Sequence, residues 1–293
     1  MINKTVSVIG GDSRQIYAAE HLSFLGYKVG IYACEHGKIG GQIYISENLK
    51  NAFESDFIIL PLPVSKNSKT LNSPLSSLNI EIKDIAELTT EKNTVFLGMG
   101  NKSLVKLLEA RAKLVCDYYL IEKLIYKNAF LTAESVLGII LEKIKVSVSG
   151  MRAAVTGYGR ISTFLCSMLK DLGADVTVFA RDSLQRTKAE LRGHKVFDIN
   201  ELHDKASIYD CIVNTVPYPV IGNDTIKKIS AECVLIECAS APYGFVFDAC
   251  DRLNKNVIKA FSLPGKKRPK TAGIIIAQTI DEIIKGGCTY EKN

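Results

Sequence analysis

A glycine turn between a short apolar run and an amphipathic segment constrains this chain more than any other feature. Residues 153–156 form the kind of run that a buried parallel strand needs, and Gly157-Tyr158-Gly159 follows it directly. Apolar residues then recur at helical spacing until Gly173, after which a second strand is predicted over 175–179. A strand, a glycine turn, a helix and another strand in this order predict a nucleotide-binding βαβ unit.

The turn suits the phosphates of a dinucleotide. Gly157 lets the chain turn tightly off the strand, and Gly159 has no side chain to keep a pyrophosphate away from the backbone. The N–H groups and the positive dipole end of the following helix attract phosphate. Ser162 stands where a third glycine or alanine normally allows close packing of helix on strand, and a small residue still fits there. The residues expected to contact the cofactor in this turn are Gly157, Tyr158, Gly159, Arg160 and Ile161.

The end of the second strand distinguishes the two nicotinamide cofactors, because an acidic residue there binds the ribose 2′-hydroxyl of NAD. This strand ends in Ala180-Arg181, so Arg181 is placed to meet the 2′-phosphate of NADP, with Ser183 and Arg186 close by. The sequence therefore predicts NADP rather than NAD. Asp182 is a competing candidate for a ribose contact, and a solvated loop charge is the alternative interpretation of Arg181.

Composition limits the class of protein. A chain of 293 residues that is 47% hydrophobic is long enough for two domains with separate cores, and a dispersed net charge of +6 argues against a nucleic-acid surface. No apolar run reaches the length of a membrane span, and the N-terminus lacks the pattern of a signal peptide, so a cytoplasmic protein is expected. The eight cysteines and four histidines form no metal-ligand spacing, which predicts reduced, buried thiols and no metal.

The first half alternates strands and helices in the same way but lacks the dinucleotide pattern. Gly10-Gly11-Asp12 follows a predicted strand over 5–9 without the glycine spacing of a dinucleotide loop, so this unit is expected to bind another ligand. Residues 66–79 are rich in Asn and Ser and are expected to form a polar excursion. Further strands are predicted over 28–32, 57–60, 94–97 and 113–116.

The alternation predicts two doubly wound parallel-sheet, Rossmann-like α/β domains with a cleft between them. The first domain is expected over residues 1–130, with a helix over 272–293 returning to it. The second is expected over 131–271, beginning with a linker helix that Thr132 caps. Strands of the second domain beyond the glycine turn are predicted over 195–197, 209–214, 233–237 and 256–259.

Two loops after predicted strands fall on the cofactor side of the second sheet. Thr215, Val216 and Pro217 are expected to border the nicotinamide ribose, although an ordinary turn around Pro217 is the alternative. Ser240 ends the next strand and is expected at the same edge. None of the four histidines is expected at a strand end of this kind, so no catalytic histidine is predicted.

Taken together, these segments resemble the A subunit family of dipicolinate synthase from spore-forming bacteria over nearly the whole chain. The predicted build also resembles the two-domain architecture of 2-hydroxyacid dehydrogenases. The family usually has glycine at the positions of Ser162 and Tyr243, which are the two departures. The matching stretches are Ile9-Gly10-Gly11-Asp12-Ser13-Arg14-Gln15, Leu60-Pro61-Leu62-Pro63-Val64-Ser65, Gly157-Tyr158-Gly159-Arg160, Ala180-Arg181, Asn214-Thr215-Val216-Pro217, Leu263-Pro264-Gly265 and Pro269-Lys270-Thr271-Ala272-Gly273.

The resemblance implies an NADP-linked oxidation of dihydrodipicolinate, or of its hydrated tetrahydro precursor, to pyridine-2,6-dicarboxylate during sporulation. It also implies a partner, a smaller, flavoprotein-like B subunit, together with a location in the cytoplasm of the mother cell. Assembly into a homo-oligomer is left open. Two other functions stay open as well: a non-catalytic protein that binds NADP, and another NADP oxidoreductase of a small acid, which would need a histidine with an acidic partner.

A substrate with two carboxylates needs cations to hold it. Arg14 can bind a carboxylate through two N–H groups, and Lys270 supplies a compact charge at the start of the last helix. Asp12 is the candidate proton acceptor, with an ion pair to Arg14 as its alternative role. The residues predicted to bind the substrate are Arg14, Gln15, Ser240, Lys270 and Thr271.

Overall fold

The computed structural model describes residues 4–286 and divides them into two compact units. The first unit ends at Asn128 and resumes at Arg268, and the second runs over Ala129–Lys267. The chain thus returns to the first unit a few residues before the expected position after 271. The part of the predicted terminal helix that covers 287–293 lies outside the described residues.

The first unit is built around six parallel strands whose order is β3-β2-β1-β4-β5-β6. The strands are β1 (Thr5–Ile9), β2 (Lys28–Tyr32), β3 (Ile43–Ile45), β4 (Phe57–Ile59), β5 (Thr94–Leu97) and β6 (Leu114–Asp117). The helices between them are α1 (Ser13–Phe24), α2 (Leu49–Ala52), α3 (Ile82–Leu88) and α4 (Lys102–Glu109). Strand β3 was not predicted, because Tyr44 and Ile45 are exposed at the sheet edge and leave no buried pattern in a three-residue strand.

The second unit repeats this topology with the strand order β12-β11-β10-β7-β8-β9. Its strands are β7 (Arg152–Thr156), β8 (Asp175–Phe179), β9 (Lys195–Phe197), β10 (Cys211–Asn214), β11 (Val234–Glu237) and β12 (Val257–Lys259). Its helices after α5 (Glu122–Lys143) are α6 (Arg160–Asp171), α7 (Ser183–Glu190), α8 (Leu202–Lys205), α9 (Asn223–Lys228), α10 (Phe247–Arg252) and α11 (Leu263–Lys267). The prediction of doubly wound α/β units with parallel sheets is confirmed.

The second sheet is covered on both faces. Ala153 and Val155 of β7 lie in one core with helices α5 and α6, whereas Ala154 lies with Ile212 in a second core on the opposite face. Strands buried on both sides read as continuous apolar runs, which is why their positions could be predicted.

Helix α5 begins at Glu122, so the prediction that Thr132 caps its N-terminus is wrong. Thr132 is instead a buried residue in the middle of the helix, since the turns before it also pack Leu124 and Ala129 inward. The 22 residues of α5 are long and apolar enough to cross a membrane by length and composition. Ala133 and Val136 are fully buried in the core of the second unit, which accounts for this composition.

Helix α12 (Pro269–Ile284) packs on α1 within the first unit. The two helices meet closely at Gly273, where a Cβ atom would overlap the carbonyl oxygen of Arg14 and lie 2.6 Å from the Cβ atom of Tyr17. Farther along α12, Asp281 accepts a hydrogen bond of 2.8 Å from the hydroxyl of Tyr27. The returning segment is therefore fixed at both ends of its contact with the first unit.

We predict that Gly273→Ala lowers the free energy of unfolding by about 1–3 kcal/mol, because the added methyl group forces α12 away from α1. Urea denaturation followed by circular dichroism measures the change. The matched control is Gly138→Ala on the exposed side of α5, where a Cβ atom meets nothing within 4 Å. That control is expected to leave stability unchanged or to raise it by up to about 1 kcal/mol; equal destabilisation by both changes would contradict the prediction.

Candidate functional site

The glycine turn after β7 is built around a residue that the fold itself requires. Gly157 has a φ angle of 78°, in the left-handed region, and its N–H donates to the carbonyl of Phe179 at 2.8 Å. A Cβ atom at this position would also lie 2.8 Å from the Cγ2 atom of Val216. Both the turn and the packing of the loop after β10 therefore exclude other residues at 157.

Gly159 differs, because nothing in the fold requires a glycine there. A Cβ atom on Gly159 would meet no atom within 4 Å, and the residue begins α6 without a side chain to cap it. The space in front of the turn is thus open, which is what close approach of a phosphate demands. Ser162 fits the third position because it is fully buried and its hydroxyl donates to the carbonyl of Gly159 at 3.2 Å.

A pocket of about 580 Å³ lies beside this turn, within the second unit. Its walls come from the loops that follow β7, β8, β9 and β10, at the edge where the strand order reverses between β7 and β10. Ligands of open α/β sheets bind at such a reversal, beyond the carboxyl ends of the strands. The lining residues are Gly157, Arg181, Asp182, Gln185, Ile199, Asn200, His203, Val216, Tyr218, Pro219, Val220, Asp224 and Thr225.

Three of the residues predicted to contact a cofactor line this pocket: Gly157, Arg181 and Val216. The others lie in the same turns without lining it. Thr215, for example, donates its hydroxyl to the carbonyl of Thr156 at 2.7 Å and so holds two strand ends together. The predicted residues outside the lining are Tyr158, Gly159, Arg160, Ile161, Ser183, Arg186, Thr215 and Pro217.

Several lining residues were not predicted. Asn200 comes just after β9, and the rule that places ligands at strand ends could have found it, since β9 itself was predicted correctly. His203 also lines the pocket, but it lies on α8 and not at the end of a strand, so that rule could not have found it. Gln185, Tyr218 and Asp224 had no signal in the sequence, because they lie in helices and loops whose path only the folded chain defines.

Two of the charged residues after β8 form hydrogen bonds that stabilise the fold, and a third does not. The guanidinium of Arg186 donates to the carboxylate of Asp198 at 2.8 Å and to the carbonyl of Ala180 at 2.6 Å, so it ties together the ends of β8 and β9. Asp182 caps α7 by accepting the N–H of Gln185 at 2.8 Å. Arg181 is exposed, lines the pocket and enters no ion pair among residues 4–286. It is the cation of this edge that a ligand can reach.

Behind the turn, the ring of Tyr158 packs on His194 with 5.9 Å between ring centroids. The hydroxyl of Tyr158 and the Nδ1 atom of His194 are both buried, and neither has a hydrogen-bond partner in the described structure. Burial lowers the pKa of His194 below its ordinary value of 6.5, and the charges of Lys170 and Arg192 lower it further. The folded chain therefore favours a neutral imidazole at this position.

We predict that the free energy of unfolding falls as the pH is lowered from about 7 to 5, in part through His194. The unfolded chain takes up a proton below its ordinary pKa that the folded chain resists, so acid favours unfolding. His194→Phe keeps the ring contact with Tyr158 and should flatten this dependence, measured by urea denaturation at each pH. The same change at the exposed His36 serves as control, and an unaltered slope in His194→Phe would refute the assignment.

The first unit has the same sheet topology, but its glycine turn is covered. The N–H of Gly11 donates to the carbonyl of Asn72 at 2.9 Å, and a Cβ atom on Gly10 would lie 2.8 Å from a methyl group of Leu71. Asn72 is held in turn by its side-chain amide, which donates to the carbonyl of Pro63 at 3.0 Å. The polar excursion over residues 66–79 thus sits over the turn, whereas the turn of the second unit is open.

Asp12 and Arg14 form an ion pair at this edge of the first unit. The Nε and Nη2 atoms of Arg14 each donate to the Asp12 carboxylate at 2.9 Å, and Nη2 also donates to the carbonyl of Leu62. Arg14 is 7% exposed, while the side chain of Asp12 is 30% exposed. The pair joins the loops after β1 and β4, where the order of the first sheet reverses.

The remaining predicted substrate residues are distributed over both units. Gln15 is fully buried beside Tyr118, and its Oε1 atom has no hydrogen-bond partner in the described structure. Lys270 and Thr271 are exposed in the first turn of α12, in the same unit as Arg14. Ser240 is exposed in the loop after β11, in the second unit.

Comparison with known proteins follows the division into two units. Residues 5–128 match the family model of the N-terminal domain of the dipicolinate synthase A subunit, and residues 128–251 match that of the NAD binding domain of S-adenosyl-L-homocysteine hydrolase. The dipicolinate synthase A subunit of Bacillus subtilis (strain 168) is 27% identical over 286 residues, which cover 95% of each chain.

Solved structures agree with these matches. The crystal structure of the dipicolinate synthase A subunit from Bacillus halodurans superposes with a TM-score of 0.83 at 25% identity, covering 97% of this chain and 99% of that one. The chain therefore resembles the A subunits of dipicolinate synthase over nearly its whole length. A transhydrogenase from Sinorhizobium meliloti shares the fold at a TM-score of 0.69 and 11% identity, covering 96% of this chain and 93% of its own. The chain thus shares its overall fold with this transhydrogenase.

Proposed function

We propose that this chain is the NADP-dependent oxidoreductase component of a dipicolinate synthase. The observation that carries the proposal is the open face of Gly159 beside a pocket whose rim presents Arg181, which pairs with no acid among residues 4–286. A glycine that the protein itself does not need is explained by a ligand that approaches it. The match of residues 128–251 to an NAD binding domain supports the same conclusion.

The residues at this edge fit a phosphorylated dinucleotide. The backbone of residues 157–161 would hold the pyrophosphate at the start of α6, and Arg181 would bind the 2′-phosphate. Asp182 already caps α7, so it is a poor partner for a ribose hydroxyl. Thr215 and Pro217 would border the other ribose. Bound NADP supplies a hydride acceptor, and the protein contributes orientation.

The substrate that we propose is a dihydropyridine dicarboxylate or its hydrated tetrahydro precursor, which is oxidised to pyridine-2,6-dicarboxylate. The ion pair with Asp12 holds Arg14 rigidly at the edge of the first sheet, and Lys270 is exposed at the start of α12. These two cations would bind carboxylates, assisted by Gln15, Thr271 and Ser240.

Formation of an aromatic ring supplies much of the driving force of this oxidation, so the protein needs mainly to position the reacting carbon. Asp12 is our proposed proton acceptor, since its carboxylate stays partly exposed although it pairs with Arg14. The name of its relatives marks them as one component of a larger enzyme, so the proposed partner is a B subunit. Action during sporulation, in the cytoplasm of the mother cell, belongs to the same proposal.

We predict that Arg181→Ala weakens binding of NADPH by roughly 10- to 100-fold and leaves binding of NADH nearly unchanged, because a charge-assisted contact to the 2′-phosphate is lost. Isothermal titration calorimetry with both nucleotides measures the difference. Arg186→Ala is the control, since it loosens a strand end and should affect both nucleotides alike. Equal losses for both nucleotides in Arg181→Ala would argue against the NADP preference.

The reaction itself can be tested with the purified chain, NADP and dihydrodipicolinate, with and without a B subunit, by following the ultraviolet absorbance of the product. We expect NADP-dependent product formation. Lys270→Ala should raise KM by about tenfold, because a carboxylate loses its cation, with Lys266→Ala as the exposed control. Binding of NADP without product, even when the B subunit is present, would identify a non-catalytic protein.

A further inference from the structure

A buried carboxylate at the end of β11 holds a loop of the second unit. Glu237 has no solvent exposure and enters no ion pair among residues 4–286. Its Oε1 atom accepts the side-chain amide of Asn214 at 2.6 Å and the N–H of Ala239 at 2.8 Å. Its Oε2 atom accepts the N–H groups of Gly244 at 2.8 Å and Phe245 at 3.0 Å. Four donors thus replace the water that this carboxylate has lost.

Asn214 extends the network to two further strand ends. Its Oδ1 atom accepts the hydroxyl of Thr156 at 2.6 Å and the N–H of Val216 at 3.2 Å, and its amide also donates to the carbonyl of Val216 at 3.0 Å. Thr156 directly precedes the glycine turn, and Val216 packs against it. The loops after β7, β10 and β11 are therefore joined through one buried Asn–Glu pair.

The loop over residues 239–245 is held at both ends, yet its tip is exposed. The tip consists of Ser240, Ala241 and Pro242. Tyr243 takes the left-handed conformation, with φ at 65°, and its ring stacks on Phe261 at 5.1 Å between centroids. At Gly244, any side chain would overlap the carboxamide of Asn214.

A carboxylate without a cation is costly to bury, and the four hydrogen bonds that Glu237 accepts offset part of this cost. What the carboxylate achieves, and an apolar residue cannot, is to hold three loop amides in fixed directions. A short loop is thereby kept in one shape while its tip stays in solvent.

The order of the strands indicates what the loop is for. The pocket takes its walls from the loops after β8 and β9 on one side of the glycine turn, and from the loop after β10 on the other. A dinucleotide with its phosphates at the turn after β7 and its adenosine on the β8 side must extend its other half towards β10 and β11. The loop over 239–245 follows β11.

We propose that Glu237 is a positioning residue that fixes the loop over residues 239–245 for the nicotinamide half of the cofactor. This inference rests on the proposed function, because it presumes that the second unit binds a nicotinamide dinucleotide. Glu237 acts through backbone amides and through Asn214, without touching the cofactor.

The test compares a whole dinucleotide with its adenosine half. Glu237→Gln keeps the size of the side chain but presents an NH2 group to amide donors, which releases part of the loop. Calorimetric titration is carried out with whichever of NADPH and NADH the wild type binds more tightly, and with 2′,5′-ADP or AMP as the matching half. We expect the Kd of the dinucleotide to rise by about tenfold and that of the half to change less than about twofold.

The difference between the two ligands separates positioning from a general loss of stability, which would weaken both or neither. Either of those results overturns the inference. Glu232→Gln removes an exposed carboxylate that pairs with Lys145 at 2.9 Å, and this control should change neither Kd. If Glu237→Gln does not fold, Glu237→Asp withdraws the carboxylate from the loop amides and should give the same difference. A wild-type chain that binds neither dinucleotide overturns the proposed function instead, and the inference with it.

Discussion

The reversal of strand order in each sheet is the constraint on which the rest of this structure depends. In both units the chain winds outward in one direction from the first strand and then returns to its other side, so the loops after two neighbouring strands part from each other. The candidate sites of the described chain lie at these places: the turn at Gly157 and its pocket in one unit, and the Asp12–Arg14 pair in the other.

Identical topology has not given the two units identical sites. In the second unit the space before Gly159 is open, and the nearby cation Arg181 pairs with no acid in residues 4–286. In the first, Asn72 receives the N–H of Gly11, and the guanidinium at the reversal is bound by its neighbour Asp12. The described chain thus combines one open crevice of the nucleotide-binding type with one that its own loop covers.

The sequence predicted the frame of this molecule well and its site in part. Strands such as β7 and β8 could be predicted because strands buried on both faces have continuous apolar runs. Gly157 could be predicted because a turn in the left-handed region favours glycine. The edge strand β3 has no continuous buried apolar run, so it could not be predicted. Arg186 and Arg181 look alike in the sequence, and only the fold separates the one that ties two strand ends from the one that lines a pocket. His203 and Gln185 reach the pocket through the path of helices, which no local pattern encodes.

The closed turn of the first unit has a wider consequence. Residues 71 and 72 belong to a segment inserted between β4 and α3, outside every strand of the sheet. The cover of the first glycine turn therefore comes from a surface connection and not from the sheet, so two sheets of the same strand order can differ in the space in front of their turns. Two units with the same sheet topology can in this way present different sites while their cores keep the same arrangement.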